Sequence, residues 1–433
     1  MVDPTGALSK NQKLFLYFSS LTLLMNVVTP EILLDIPTAF MLKNHLHATA
    51  SQVSLFRLLT GIPLYVGFVF GMTRDLWDPF GLRDRGYFRL FGPAGMIVFG
   101  WLSLTRLSYS GLLIGMFLAM IVFRFLMSAY QALIALIGQE ELMSGRLSAL
   151  WMTFKYISYI SAYFASGFIT EHLSPRETFL LAAAVTFPFC LYGFWKPRAV
   201  FSHAYENPQA RGSIFVGDLK RLAKHRAVYP AVIIILLWNF MPGYNTPMQF
   251  YLSNQVHAPD EIYAYFNCIF YGAYLPTVLV YGLLCTRFPT RRLLWWGAAI
   301  GVPSMIPLAF IHSSHQALAM AVPMGLMSGF GSSAFYDLAI RSCPPGLQGT
   351  LMMLAESVNN LAFRGSDVLG TKIYSLSPTH GFLYCVIAMT AIFALILPTL
   401  LLVPKELIAT SDGETNPAMD AGMMGELGEA SAT

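Results

Sequence analysis

Charge is scarce in this sequence. Only 12% of its 433 residues are Asp, Glu, Lys or Arg, about half the share in a soluble domain. An ordinary soluble enzyme is excluded on that ground. Cysteine is scarce too. Cys190, Cys268, Cys285, Cys343 and Cys385 form no CxxC pair, and four of them fall inside apolar runs. A disulfide framework or zinc site is therefore not expected, and the thiols read as buried and inert. No N-x-Ser/Thr sequon marks a glycosylated loop. The net charge is +4, and the basic residues sit in short loops, so nucleic acid has no electrostatic footprint to bind. Walker, HExxH, GxSxG and dinucleotide-binding glycine motifs are missing. No cofactor and no enzymatic activity are expected, and any uphill work would have to draw on an ion gradient. A cleavable leader is not expected either. Lys10 and Lys13 precede an apolar run from Leu14 to Leu42, far longer than the roughly 7–15 residues of a signal core.

What the chain has in abundance is apolar length. Hydrophobic residues make up 55% of it, and the mean hydropathy is +0.56. Apolar segments run over 14–41, 52–72, 87–108, 110–135, 147–170, 178–195, 228–252, 261–284, 293–312, 316–340, 350–373 and 380–403. Crossing about 30 Å of hydrocarbon takes roughly 20 residues of helix. Only helices or closed barrels satisfy their own backbone in lipid. The pattern predicts an all-α integral membrane protein of twelve transmembrane helices. Arg74, Arg83 and Arg85 follow the second span, and Arg287, Arg291 and Arg292 follow the eighth. Residues 44–51 and 253–260 contain neither Lys nor Arg. By the positive-inside rule both termini are expected in the cytoplasm.

The chain divides into an N-terminal half over 1–195, a basic linker over 196–227 with an amphipathic helix from Ile214 to Arg226, a C-terminal half over 228–403, and an unstructured acidic tail over 404–433. The halves echo each other. Gly71-Met-Thr-Arg-Asp75 ends the second span, and Gly282-Leu-Leu-Cys-Thr286 ends the eighth. Gly145-Arg146 before the fifth span matches Gly349-Thr350 before the eleventh. Two pseudo-symmetric six-span halves are the pattern of a duplicated transporter.

Gly71 and Asp75, followed by Gly81, Arg83 and Arg85, resemble the signature loop of the major facilitator superfamily. The long loop from Asp75 to Tyr87, with Cys343-Pro-Pro-Gly-Leu-Gln-Gly-Thr350 running into Ala355-Glu-Ser-Val-Asn-Asn360, is similar to the folate–biopterin transporter family. The loop is shared with the glycoside–pentoside–hexuronide symporters and the bacteriochlorophyll-delivery proteins. The resemblance implies a central cavity lined by spans 1, 4, 7 and 10, about which the halves rock. It also implies a cytoplasmic gate of Gly71, Asp75, Gly81, Arg83, Arg85 and Arg287. Thr286 stands where the second half would carry the aspartate, so that latch is expected to be weaker. A monomer in a bacterial inner membrane is expected.

Ionisable groups at membrane depth cost at least about 2.5–3.5 kcal/mol, so they need a partner or water. Span 1 carries Glu31 and Asp35 between Pro30 and Pro37. They are candidates for binding a coupling proton or another cation, although Asp35 also lies level with Arg57. Span 4 carries Arg124, resembling a buried arginine of the superfamily, and span 5 carries Lys155 beside Tyr159. Either suits an anion. On span 11, Glu356, Asn360, Arg364 and Asp367 share an arc of about 80°, which fits a substrate or proton site or an internal salt-bridge network. In that network Arg364 would pair with Glu356 or Asp367. Span 7 carries Asn239, Tyr244 and Asn245 with Pro242 and Pro247, which predicts an interrupted helix. Tyr263, Asn267, Tyr271 and Tyr274 line one face of span 8. Gly325, Gly329 and Gly331 of span 10 predict close helix packing. The reading is a proton-coupled carrier of a small anionic, ring-bearing solute such as a folate or pterin, working by alternating access. The alternatives are a pigment-delivery factor or a lipid flippase on the same fold.

Overall fold

The computed structural model describes residues 9–197, 200, 222, 224–259 and 261–414, and among these the regular structure is helix alone. The linker helix expected over 214–226 falls mostly outside them. The elements are α1 (Lys10–Val28), α2 (Pro30–Leu33), α3 (Asp35–Phe40), α4 (Ala50–Tyr65), α5 (Gly67–Leu76), α6 (Asp84–Leu104), α7 (Tyr109–Glu140), α8 (Ser144–His172), α9 (Pro175–Phe194), α10 (Val228–Asn239), α11 (Thr246–Asn254), α12 (Glu261–Leu284), α13 (Thr290–Gly301), α14 (Ser314–Arg341), α15 (Gln348–Tyr374), α16 (Gly381–Ala394) and α17 (Ile396–Leu400).

Local chemistry sets many of the ends. Ser9 with Gln12, Thr49 with Gln52 and Ser174 with Glu177 form reciprocal capping boxes that open α1, α4 and α9. The first span breaks where Thr29, at φ −56° and ψ 124°, precedes Pro30. A residue before proline is pushed out of the helical region. Among the described residues, eight helical stretches are long and apolar enough to cross a membrane: Leu55–Leu76, Asp84–Leu104, Tyr109–Glu140, Pro175–Phe194, Ile262–Leu284, Thr290–Phe310, Ser314–Arg341 and Gly381–Leu400. The four expected segments outside that set hold α1–α3, α8, α10–α11 and α15. These are the segments that proline interrupts or that carry polar and charged side chains.

The chain forms two compact units. The first contains residues 1–136, 154–219 and 344–357, and the second contains 137–153, 220–343 and 358–433. Each unit thus includes a short stretch from the other half of the sequence. In the first unit α6 packs on α9, with Phe88 stacked on Phe189 at 6.4 Å between ring centroids. In the second unit α12 packs on α14. A Cβ at Gly325 would lie 2.3 Å from the Phe270 carbonyl oxygen, so only glycine allows that approach.

The tail differs from the expectation at its start. Residues 405–414 are structured: Lys405–Ile408 forms a 3-10 turn, and Leu407, Ile408, Ser411 and Asp412 are buried. Composition hid this because the anchoring is tertiary. The rest of the tail lies outside the described residues.

Candidate functional site

In the first unit the end of α5 meets the start of α15. Asp75 accepts hydrogen bonds from the Gly349 amide (3.2 Å), the Thr350 amide (2.7 Å) and the Thr350 hydroxyl (2.6 Å). The first amides of a helix have no partner within it, and the helix dipole favours a carboxylate there. The arginine against Asp75 is Arg74, at 2.9 Å, which also grips Asp84 through two bonds of 2.6 and 2.7 Å. Arg85 donates to the Phe194 carbonyl at 3.1 Å, and the Arg83 amide bonds Asp78 at 2.5 Å. Gly81 takes φ +64° in the turn between them. A Cβ at Gly71 would lie 2.3 Å from the Gly349 carbonyl oxygen, so this glycine sets the distance between the two helices. Arg287 is exposed beyond α12 and makes no ion pair among the described residues.

In the same unit, Arg124 is buried in α7 at 2% exposure, and Thr22 of α1 bonds Tyr130 farther along α7. Of Glu31, only its place in α2 is described. Asp35 pairs with Arg57 at 3.1 Å, both about half exposed. The pairing of Asp35 with Arg57 fits their similar depth in spans 1 and 2. Lys155 is half-buried, with its ammonium 6.0 Å from the Tyr159 ring centroid, a cation–π contact. Glu356 is half-buried near the first unit's end of α15, one residue before Ser357, whose hydroxyl accepts the Phe68 amide at 3.2 Å.

In the second unit the interrupted seventh span is as expected. α10 stops at Asn239, and α11 begins at Thr246. The Asn239 amide is spent on its own helix, bonding the Ile235 carbonyl at 2.8 Å, as an asparagine ending a helix often does. The buried Tyr244 hydroxyl donates to Asn267 at 2.8 Å, Tyr263 donates to Asn245 at 3.2 Å, and Tyr271 lies 6.0 Å from Tyr274 between ring centroids. Four of the residues singled out in spans 7 and 8, Tyr244, Asn245, Asn267 and Tyr271, thus share one polar, aromatic wall.

Asp367 completes this wall in a way the sequence reading did not find. Its carboxylate accepts from the Thr246 amide (2.9 Å) and the Thr246 hydroxyl (2.8 Å), capping α11. It does not pair with Arg364. Three residues apart on α15 they share a side of the helix, but capping holds the carboxylate on α11. Arg364 is exposed, one turn beyond the half-buried Asn360, and makes no ion pair among the described residues.

A second ionic cluster lies at the other end of this unit. Tyr281 donates to Asp337 at 2.7 Å, and Arg341 bonds Asp337 at 2.9 Å and Asp412 at 3.4 Å. Asp337 and Arg341 stand i, i+4 on α14, while Asp412 comes from beyond the last span. Burial and the neighbouring Asp337 push the Asp412 carboxyl above the usual carboxylate range, against the pull of Arg146 and Arg341.

Residues 14–363 match the model of the Major Facilitator Superfamily. The chain belongs to this superfamily. It is an integral, multi-pass membrane protein and a solute transporter, not an enzyme. It is 25% identical to the folate-biopterin transporter of Synechocystis sp. over 359 residues, covering 78% of this chain and 70% of that protein. It is 22% identical to folate transporter 1 of Plasmodium falciparum over 372 residues, covering 81% and 71%. Among solved structures it is similar to the E. coli fucose:proton symporter FucP (TM-score 0.66, 18% identity, 92% of this chain and 100% of that one). It is also similar to the human organic anion transporter MFSD10 (TM-score 0.63, 14% identity, 90% and 99%). At these identities the solved structures speak for the fold alone. The major facilitator fold implied by the signature-loop resemblance is thereby borne out, as is the resemblance to folate–biopterin transporters.

Proposed function

We propose that this major facilitator protein carries a small anionic, ring-bearing solute of the folate or pterin class by alternating access, driven by protons. The observation that carries the reading is Arg364. It stands about 15 Å from the C-terminal end of α15 by helix rise, exposed and without an ion pair among the described residues. A bare guanidinium at that depth costs at least about 2.5–3.5 kcal/mol, so it faces water and is free to clamp a carboxylate. The tyrosine and asparagine wall of spans 7 and 8 offers a ring stacking surfaces and hydrogen bonds. Arg124, Lys155 and Asn360 are the further candidates for contact with the anion. The names of the Synechocystis and Plasmodium relatives support the same substrate class. Glu31 and Glu356 are the proposed proton carriers, while Asp35, held by Arg57, is the weaker third. A monomer suffices for this mechanism, with both termini on the cytoplasmic side of a bacterial inner membrane.

Proteoliposome uptake of radiolabelled folate and biopterin under an imposed proton gradient tests this. Wild type should accumulate one of them. Arg364→Gln should lose at least about tenfold in uptake at low substrate, the value of one charge-assisted pair. Glu31→Gln or Glu356→Gln should abolish accumulation while exchange survives. Full uptake by Arg364→Gln, or uphill uptake in both glutamine variants, overturns the reading.

A further inference from the structure

Two helix starts in this chain are held in the same way by aspartates of different origin. Gly349 and Thr350 are the second and third residues of α15, and Gly145 and Arg146 are the second and third residues of α8. Asp75 bridges the first pair of amides at 3.2 and 2.7 Å, one oxygen to each. Asp412 bridges the second pair at 3.2 and 3.2 Å, again one oxygen to each. An arginine backs each carboxylate, Arg74 at 2.9 Å in one case and Arg146 at 2.8 Å in the other.

The repeat would place the second aspartate at Thr286. That residue is exposed, and its hydroxyl turns back to the Leu283 carbonyl at 3.1 Å. Asp412 instead arrives from beyond the last span. Its segment is pinned on both sides. The Thr290 amide bonds the Thr410 carbonyl (3.2 Å), the Asp412 amide bonds the Cys285 carbonyl (2.9 Å), and the Gly413 amide bonds the Leu142 carbonyl (2.7 Å). The Cys285 thiol lies under it, 1% exposed and 3.8 Å from the carboxylate. All of these residues belong to the second unit.

We propose that residues 409–414 are a latch: Asp412 supplies to α8 the helix-end anchor that the second repeat lost at Thr286, so freeing the start of α8 requires withdrawal of the segment after the last span. The weaker second latch expected from Thr286 is thus replaced by one from a distant part of the chain. Its place in a transport cycle rests on the alternating-access reading; its existence does not.

The test is residue-resolved hydrogen–deuterium exchange of the full chain in lipid nanodiscs. The amides of Gly145 and Arg146 have no acceptor within α8, so their protection reports the Asp412 contact. Asp412→Ala, and a chain ended after Ile408, should speed exchange of these two amides roughly tenfold and leave those of Gly349 and Thr350 unchanged. Asp412→Asn, which preserves the side-chain size, should show a smaller change of the same sign. Alkylation of Cys285 by N-ethylmaleimide should rise with it. Unchanged exchange at Gly145 and Arg146 overturns the latch. Equal acceleration at both helix starts also overturns it, because the segment would then serve the fold at large. No solute enters this experiment, so failure of the folate assay and failure of the latch are separate results.

Discussion

At the scale of single residues, polar side chains take roles that follow from the amides and charges beside them. Asp75 is the clearest case, at 2% side-chain exposure with four hydrogen bonds in reach. Its pattern was legible from Gly71 and Asp75 together, because the glycine permits the close approach that the carboxylate then uses. The arginine that backs it is Arg74, its chain neighbour. Asp75→Ala strands two helix-start amides and removes one of the two carboxylates on Arg74, which keeps Asp84. We expect a loss of roughly 1–3 kcal/mol in stability, read as a lowered midpoint of thermal unfolding in detergent. Gly71→Ala should be as damaging, since its new methyl would overlap the Gly349 carbonyl. A Gly71→Ala variant as stable as wild type would show that the contact is loose.

At the scale of elements, hydropathy marked where helices run but not what holds their ends. The broken seventh span was legible from Pro242 and Pro247, which cannot continue a helix ladder. The cap on its second part was not, because Asp367 lies 121 residues from Thr246 in the chain, and periodicity reports only neighbours on one helix. The same limit hid Asp412. Asp367→Ala should cost roughly 0.5–2 kcal/mol by removing the α11 cap. Thr246→Val removes one of the two bonds and should cost less. Thermal unfolding of the two variants checks the order, and an Asp367→Ala protein no less stable than Thr246→Val contradicts the capping role. Because α11 follows directly on Tyr244 and Asn245, losing the cap should also loosen the wall they form with Asn267 and Tyr263.

At the scale of the whole molecule, composition alone was enough to exclude a soluble enzyme, and the repeat of Gly71…Asp75 and Gly282…Thr286 was enough to suggest two related halves. The division into compact units is subtler than the division of the sequence. Residues 137–153 and 344–357 each belong to the unit opposite their half, an exchange that no hydropathy profile records. The four segments that fail a plain apolar-helix test carry Glu31, Asp35, Lys155, Asn239, Glu356, Asn360 and Arg364. Many of the candidate polar side chains thus fall where the membrane signal is weakest, as expected if those helices border water rather than lipid, although Arg124, Asn267 and Tyr271 lie in fully apolar spans. Arg364 decides this most directly. In a variant with the native cysteines replaced, Arg364→Cys in proteoliposomes should react with a membrane-impermeant methanethiosulfonate reagent, and bound folate or biopterin should slow the reaction. A cysteine there that stays unreactive to the charged reagent while reacting with a lipid-soluble maleimide would place the side chain in hydrocarbon and contradict the account.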